Sequence, residues 1–168
     1  MKTLFLSALF LGTALVIHSF DIKFNTTPSI PPGIYRLSKD NADITNGNIV
    51  LFCLNNNYET IAKERKYLSQ GKCSNVLSPI GKHVVASYPD KIKITSDGIH
   101  VNGHLIKSTR PLAHDKNGRK LIHAEIHRLL EQDEFIVASS KSDSFDSRYY
   151  GIVKRKDIQG KLKEVLII

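Results

Sequence analysis

Gly98-Ile99-His100-Val101-Asn102-Gly103-His104-Leu105-Ile106 reads as two short alternating runs joined by Asn-Gly. That dipeptide tolerates the positive φ that both central positions of a type I′ turn require, so the stretch predicts a β-hairpin. A lone two-stranded ribbon is marginal in water, and the hairpin therefore implies neighbouring strands. The flanking chain supplies them: residues 83–87 and 92–95 are β-rich, and Ile49-Val50-Leu51-Phe52-Cys53-Leu54 is a continuous apolar run ended by Asn55-Asn56-Asn57. Residues 135–138 and 149–153 read as further strands, residues 115–118 as a polar turn, and a charged tail closes on the apolar residues 165–168. The exception is residues 58–69, where Ile61, Ala62, Arg65 and Leu68 mark one face of a short helix that Gly71 stops. The expected fold class is mostly β with a small helical insertion.

At 168 residues, 41% hydrophobic and 24% charged, the chain fits one globular domain plus one extra segment. The extra segment is residues 1–20, leaving 21–168 as the body. Residues 3–20 (TLFLSALFLGTALVIHSF) carry no Asp, Glu, Lys or Arg, and as a hydrophobic helix they would span about 27 Å, enough to cross a bilayer. Lys2 and the terminal amine favour a cytoplasmic N-terminus, which places the body on the other side. A cleaved secretory signal is the alternative. His18-Ser19-Phe20-Asp21 lacks the small-x-small site such a signal wants, and Gly12-Thr13-Ala14 offers one only after an unusually short apolar region.

The net charge of +8 comes from lysines and arginines scattered through the chain, with no block longer than Lys154-Arg155-Lys156 and no aromatic interleaving. A nucleic-acid module is therefore the least supported class, whereas contact with anionic lipid headgroups suits a basic domain beside a membrane. Cys53 and Cys73 both lie in the exported portion, where a pair points to a disulfide; two separate buried thiols are the alternative. A zinc site would need further ligands that no nearby His/Asp cluster provides, and no metal or cofactor is expected.

Two stretches carry possible chemistry. In Thr27-Pro28-Ser29-Ile30-Pro31-Pro32-Gly33-Ile34-Tyr35 the prolines hold the backbone around one small hydroxyl, so Ser29 is a candidate nucleophile; an ordinary Pro/Gly loop is the plain alternative. It needs a base. Of the histidines, His100 and His104 flank the hairpin turn, and His123 and His127 stand four apart on a segment of helical spacing without the His-Glu-x-x-His pattern. Lys82 precedes the apolar His83-Val84-Val85-Ala86, which would carry it into a desolvated setting that lowers an amine pKa. In Ser142-Asp143-Ser144-Phe145-Asp146-Ser147-Arg148-Tyr149-Tyr150-Gly151 a structured turn feeds a strand, and Asp146 and Arg148 are placed to pair.

Taken in order, Thr-x-Ser-x-Pro-x-Gly-x-Tyr at residues 27–35, Lys-x-Val-Val-Ala at 82–86 and Ser-Phe-Asp-Ser-Arg-Tyr-Tyr-Gly at 144–151 resemble the type I signal peptidase superfamily, and more narrowly its TraF branch of conjugative transfer systems. The resemblance covers about residues 25–153, including the Cys53/Cys73 spacing. It implies a coiled β-sheet domain behind an N-terminal hydrophobic helix, with Ser29 as nucleophile and Lys82 as general base. It further implies that the Thr27 hydroxyl helps the Ser29 N–H form an oxyanion hole, that Ser144 orients the lysine amine, and that Asp146 and Arg148 form an ion pair shaping the site.

The function so implied is a membrane-anchored serine endopeptidase of the bacterial inner membrane, facing the periplasm, or free in the periplasm if the segment is cleaved. Its substrate would be an exported precursor, a propilin in conjugation, and other transfer or secretion components would be partners. A general signal peptidase, or a non-catalytic assembly factor on the same scaffold, are the alternatives. One departure is Pro89-Asp90 where the family usually has Gly-Asp.

Overall fold

Ile49–Phe52 (β3) is buried at every position, which suits a continuous apolar run and places this strand inside a sheet. In the computed structural model, which describes residues 21–55 and 57–168, β3 lies between Ile80–Ser87 (β4) and Ile158–Ile167 (β11). Ile22–Asn25 (β1) and Gly33–Ser38 (β2) extend the sheet beyond β11, while Glu134–Ala138 (β9) and Val153–Lys154 (β10) extend it beyond β4. The seven strands run β1-β2-β11-β3-β4-β9-β10. A second sheet of four is built from Lys91–Thr95 (β5), Gly98–Val101 (β6), His104–Leu105 (β7) and Ile126–Leu129 (β8), in the order β7-β6-β5-β8. Every pairing is antiparallel. Register shifts in β11 and between Val84 and Ala86 of β4 bend the large sheet into a curl.

The predicted hairpin is present, with Val101 opposite His104 and positive φ at both Asn102 (51°) and Gly103 (85°). Three apolar clusters hold the fold. One, around Val50, Phe52, Val84, Phe135 and Tyr150, lies against the large sheet; a second, around Ile92, Ile94, Ile99 and Ile136, joins the two sheets. The third packs Ile30 with Tyr35, Leu37, Ile49, Leu51 and Leu162, directly beside Ser29.

Four expectations change. The helix is only Tyr58–Glu64 (α1), because Lys66 takes a φ of 56° that ends it. Residues 149–153 are not a strand: Ser147–Tyr150 form a helical turn (α2), with the Asp146 carboxylate accepting the Arg148 N–H, and only Val153 begins β10. An N-terminal cap of this kind overrides the strand preference of the aromatic pair. The apolar end of the chain belongs to β11, a ten-residue strand central to the large sheet, where Ile158, Gly160 and Leu162 alternate inward. His127 stands on strand β8, with His123 outside it, so the two do not share a helix face.

Cys53 and Cys73 form a disulfide that ties the end of β3 to the segment after α1 across a separation of 20 residues. Closing such a loop is worth roughly 3 kcal/mol in the chain-entropy account. Among the described residues no helix is long and apolar enough to cross a membrane; the segment expected to do so, residues 1–20, lies outside them.

Candidate active site

Ser29 sits in the loop between β1 and β2, and the side chain of Asn25 ties that loop together. Asn25 Nδ2 donates to the carbonyls of Thr27 (2.8 Å), Ile30 (3.0 Å) and Pro31 (3.1 Å), while its Oδ1 accepts the Thr27 N–H and hydroxyl at 3.1 and 2.7 Å. From the other side the buried Tyr35 donates its hydroxyl to the Pro31 carbonyl. Ile30 is pressed into the apolar cluster below, in space left by Gly81, where an added Cβ would stand 3.1 Å from Ile30 Cδ1. Gly33 is needed for a different reason: any side chain there would run into the Leu166 carbonyl of β11. The serine is thus fixed by its neighbours on both sides.

Asn25 is the residue the sequence motifs did not single out. A carboxamide ending a strand carries no signal of its own; its role depends on the loop folding back over it. Replacing Asn25 with alanine is expected to lower stability by about 2 kcal/mol and to speed amide exchange across residues 26–32, as read by denaturant titration and hydrogen exchange. Unchanged exchange in that loop would contradict this account of what holds Ser29.

Lys82 approaches from β4, whose period-two pattern buries Ile80, Lys82, Val84 and Ala86 together. Strand β4 starts at Ile80, earlier than the apolar run beginning at His83 suggested, so Lys82 lies within the ladder opposite Val50. Its side chain is 2% exposed. Lys82 Nζ lies 2.7 Å from Ser29 Oγ and 2.6 Å from Ser144 Oγ. Burial disfavours the ammonium and Arg148 repels it, against attraction from Asp146 and Asp143, so the Lys82 pKa is pushed down to about 8. In its neutral form, which that lowered pKa brings within reach, the amine offers a lone pair to one hydroxyl while donating N–H to another.

Ser144 is held in turn by a fully buried ion pair. Asp146 and Arg148 are both 0% exposed, with Arg148 Nε 2.7 Å from Asp146 Oδ1 and a second guanidinium nitrogen 2.9 Å from Oδ2. The remaining guanidinium donors reach the carbonyls of Ser139, Lys141 and Ser142, and Asp146 also accepts the Ser139 N–H. The pair therefore staples the loop leading to Ser144. Phe145 packs among the rings of Tyr58, Tyr67, Tyr149 and Tyr150, which fixes the other side of that residue.

The structure thus gathers Ser29, Lys82, Ser144, Asp146 and Arg148, as the motifs implied. Thr27 is different: it is exposed, and its hydroxyl proton is directed to Asn25 Oδ1. Among the described residues the Ser29 N–H has no acceptor, which leaves it available beside the hydroxyl. Pro89-Asp90 falls in the turn between β4 and β5, where the Asp90 carboxylate accepts the Ser87 N–H and bonds Asn46 and Asn102. Ser29, Lys82 and Ser144 open onto a groove of about 1190 Å³ that also reaches Phe24, Tyr67, Leu112 and Tyr149.

A family model described as signal peptidase, peptidase S26, matches residues 1–167. The chain belongs to this family. Within it, the chain is TraF-like: it is 33% identical to the plasmid transfer protein TraF of Escherichia coli over 147 residues, covering 86% of this chain and 82% of that protein. It is also 29% identical to a probable conjugal transfer protein TraF of Sinorhizobium fredii, over 86% of this chain and 76% of that one. A crystal structure of a signal peptidase I from Enterococcus faecalis aligns at a TM-score of 0.40 with 15% identity, over 72% of this chain and 97% of the other. The mostly β architecture, with its curled sheet, agrees with the coiled β-sheet domain expected from the sequence motifs.

Proposed function

We propose that this S26 chain is a membrane-anchored serine endopeptidase, with Ser29 as nucleophile and Lys82 as general base, and that it matures an exported precursor, a propilin of a conjugative transfer apparatus. The observation that carries the reading is Lys82 Nζ at 2.7 Å from Ser29 Oγ in a buried setting that shifts the amine toward its neutral form. The relatives are named as plasmid transfer and conjugal transfer proteins, which supports placing that precursor in a transfer apparatus.

In this mechanism the neutral Lys82 takes the Ser29 hydroxyl proton as Oγ attacks the peptide carbonyl, and it donates N–H to Ser144 throughout. The Ser29 N–H meets the developing oxyanion, and Thr27 contributes by framing the loop through Asn25. Collapse of the tetrahedral intermediate passes the proton from Lys82 to the leaving amine and leaves an ester on Ser29. Water then resolves the ester, or an amine of the same substrate does so and closes a ring. The Asp146–Arg148 pair acts through Ser144 and does not touch the reacting atoms.

The site lies outside the cytoplasmic membrane in this reading. Ser29 lies nine positions after Phe20, and at about 3.5 Å per step the tether keeps the nucleophile within roughly 30 Å of the bilayer. A precursor held in the same membrane would meet it at high effective concentration.

Because the base works deprotonated, kcat/KM is expected to rise as pH increases through about 8. The neutral fraction of such an amine goes from about one-tenth at pH 7 to about nine-tenths at pH 9, a rise of roughly tenfold. Steady-state cleavage of a propilin precursor peptide between pH 6 and 10 tests this. A flat profile would overturn the lysine base, and equal rates on unrelated preproteins would favour a general signal peptidase.

A further inference from the structure

The charges lining the groove are strongly one-sided. Its acidic lining residues are Asp115 and Asp143, and both are already paired. Asp115 is bonded by Arg119 (2.7 Å) and by the Tyr67 hydroxyl (2.5 Å); burial alone would raise its pKa, but these bonds and two backbone N–H donors hold it well below the usual carboxylate range. Asp143 faces Lys116 at 3.3 Å. Four further cations on the groove, Arg65, Lys66, Lys72 and Lys141, have no acidic partner within 4.0 Å among the described residues.

These cations are mounted on pinned backbone. Lys72 precedes the buried, disulfide-bonded Cys73. Arg65 and Lys66 end α1, and Arg65 donates to the Lys120 carbonyl at 2.9 Å. The Lys141 carbonyl accepts from the buried Arg148 at 3.1 Å, three residues before the Ser144 hydroxyl that touches Lys82. Positive charge is therefore held at fixed places around the Ser29–Lys82 centre, with the exposed Lys66, Lys72 and Lys141 ammoniums outside any ion pair among the described residues.

We infer that the groove selects peptide segments carrying acidic side chains close to the scissile bond, the substrate carboxylates supplying the anions that the groove itself lacks. This rests on the peptidase reading for its biological meaning, but its physical content is binding. A single exposed ion pair is worth up to about fivefold in affinity, and several acting together more, with the effect falling as salt screens the groove.

The test uses the full-length Ser29→Ala protein, so that binding is read without cleavage. Two fluorescein-labelled twelve-residue peptides are compared by anisotropy, one with three Glu in an Ala-rich background and one with Gln at the same positions. The Glu peptide is expected to bind about tenfold tighter at 50 mM NaCl, with the difference shrinking at 500 mM. The combined Lys66→Gln, Lys72→Gln and Lys141→Gln changes should abolish the preference, and Lys154→Gln, on β10, should leave it. Equal affinities for the two peptides, or a preference that survives the triple change, would overturn the inference. Cleavage of a precursor by the wild-type protein is scored separately: preferential binding without cleavage would retain the acidic-segment selectivity and overturn the peptidase reading alone.

Discussion

Replacing Ser29 with alanine, or Lys82 with methionine, is expected to reduce precursor processing by about 10⁴-fold or more while leaving the domain folded. The two losses should be similar and should not add, because the proposed nucleophile and base, 2.7 Å apart, would act as one unit. Methionine is the informative partner for Lys82. It fills nearly the same volume in a site that is 2% exposed and removes the desolvation of a buried ammonium, so stability should hold or rise as activity disappears. Activity measured on purified precursor, beside a urea titration of each variant, separates lost chemistry from lost fold. A decline of less than tenfold in either variant would contradict the assigned roles.

Arg148→Ala is expected to cost about 3–5 kcal/mol of stability, the range for breaking a buried ion pair from one side. Asp146 would be left at 0% exposure with only backbone N–H donors, and the carbonyls of Ser139, Lys141 and Ser142 would lose their guanidinium partner. The loop that positions Ser144 would loosen with them. A shift of the denaturant midpoint equivalent to under 1 kcal/mol would show that the pair is not what holds this loop.

Much of the centre was legible in the primary structure because its parts are local patterns. The prolines around Ser29 and the alternation of Ile80, Lys82, Val84 and Ala86 are visible in the letters, and the Asn-Gly hairpin needs no distant partner. What was not legible depends on distant chain. Asn25 acts only once residues 27–31 fold over its side chain. Strand β11 reads as a charged tail until β2 and β3 are placed on either side of it, since Lys161 and Lys163 then point away while Gly160 and Leu162 turn inward. Tyr149 and Tyr150 look like strand residues because their propensity is local, whereas Asp146 caps a helical turn only by virtue of its buried position against Arg148. The helix after Asn57 ended early for a reason no periodicity displays, a left-handed residue at Lys66.

The excess of cations around the groove adds a second layer to the proposed function. Geometry at Ser29 and Lys82 concerns which bond is attacked, while the fields of Lys66, Lys72 and Lys141 concern which chain is brought there. The two can be varied independently, because the lysines lie on loops outside the Ser29–Lys82–Ser144 hydrogen bonds.

The central claim is that Ser29 cuts an exported precursor, and the mass of that precursor in cells tests it most directly. The candidate pilin is purified from cells carrying the wild-type protein and from cells carrying Ser29→Ala, and both are weighed intact by mass spectrometry. The account predicts a shortened pilin with the wild type, lighter by one further water if its ends are joined, and the uncut precursor with Ser29→Ala. The same processed mass in both would contradict it.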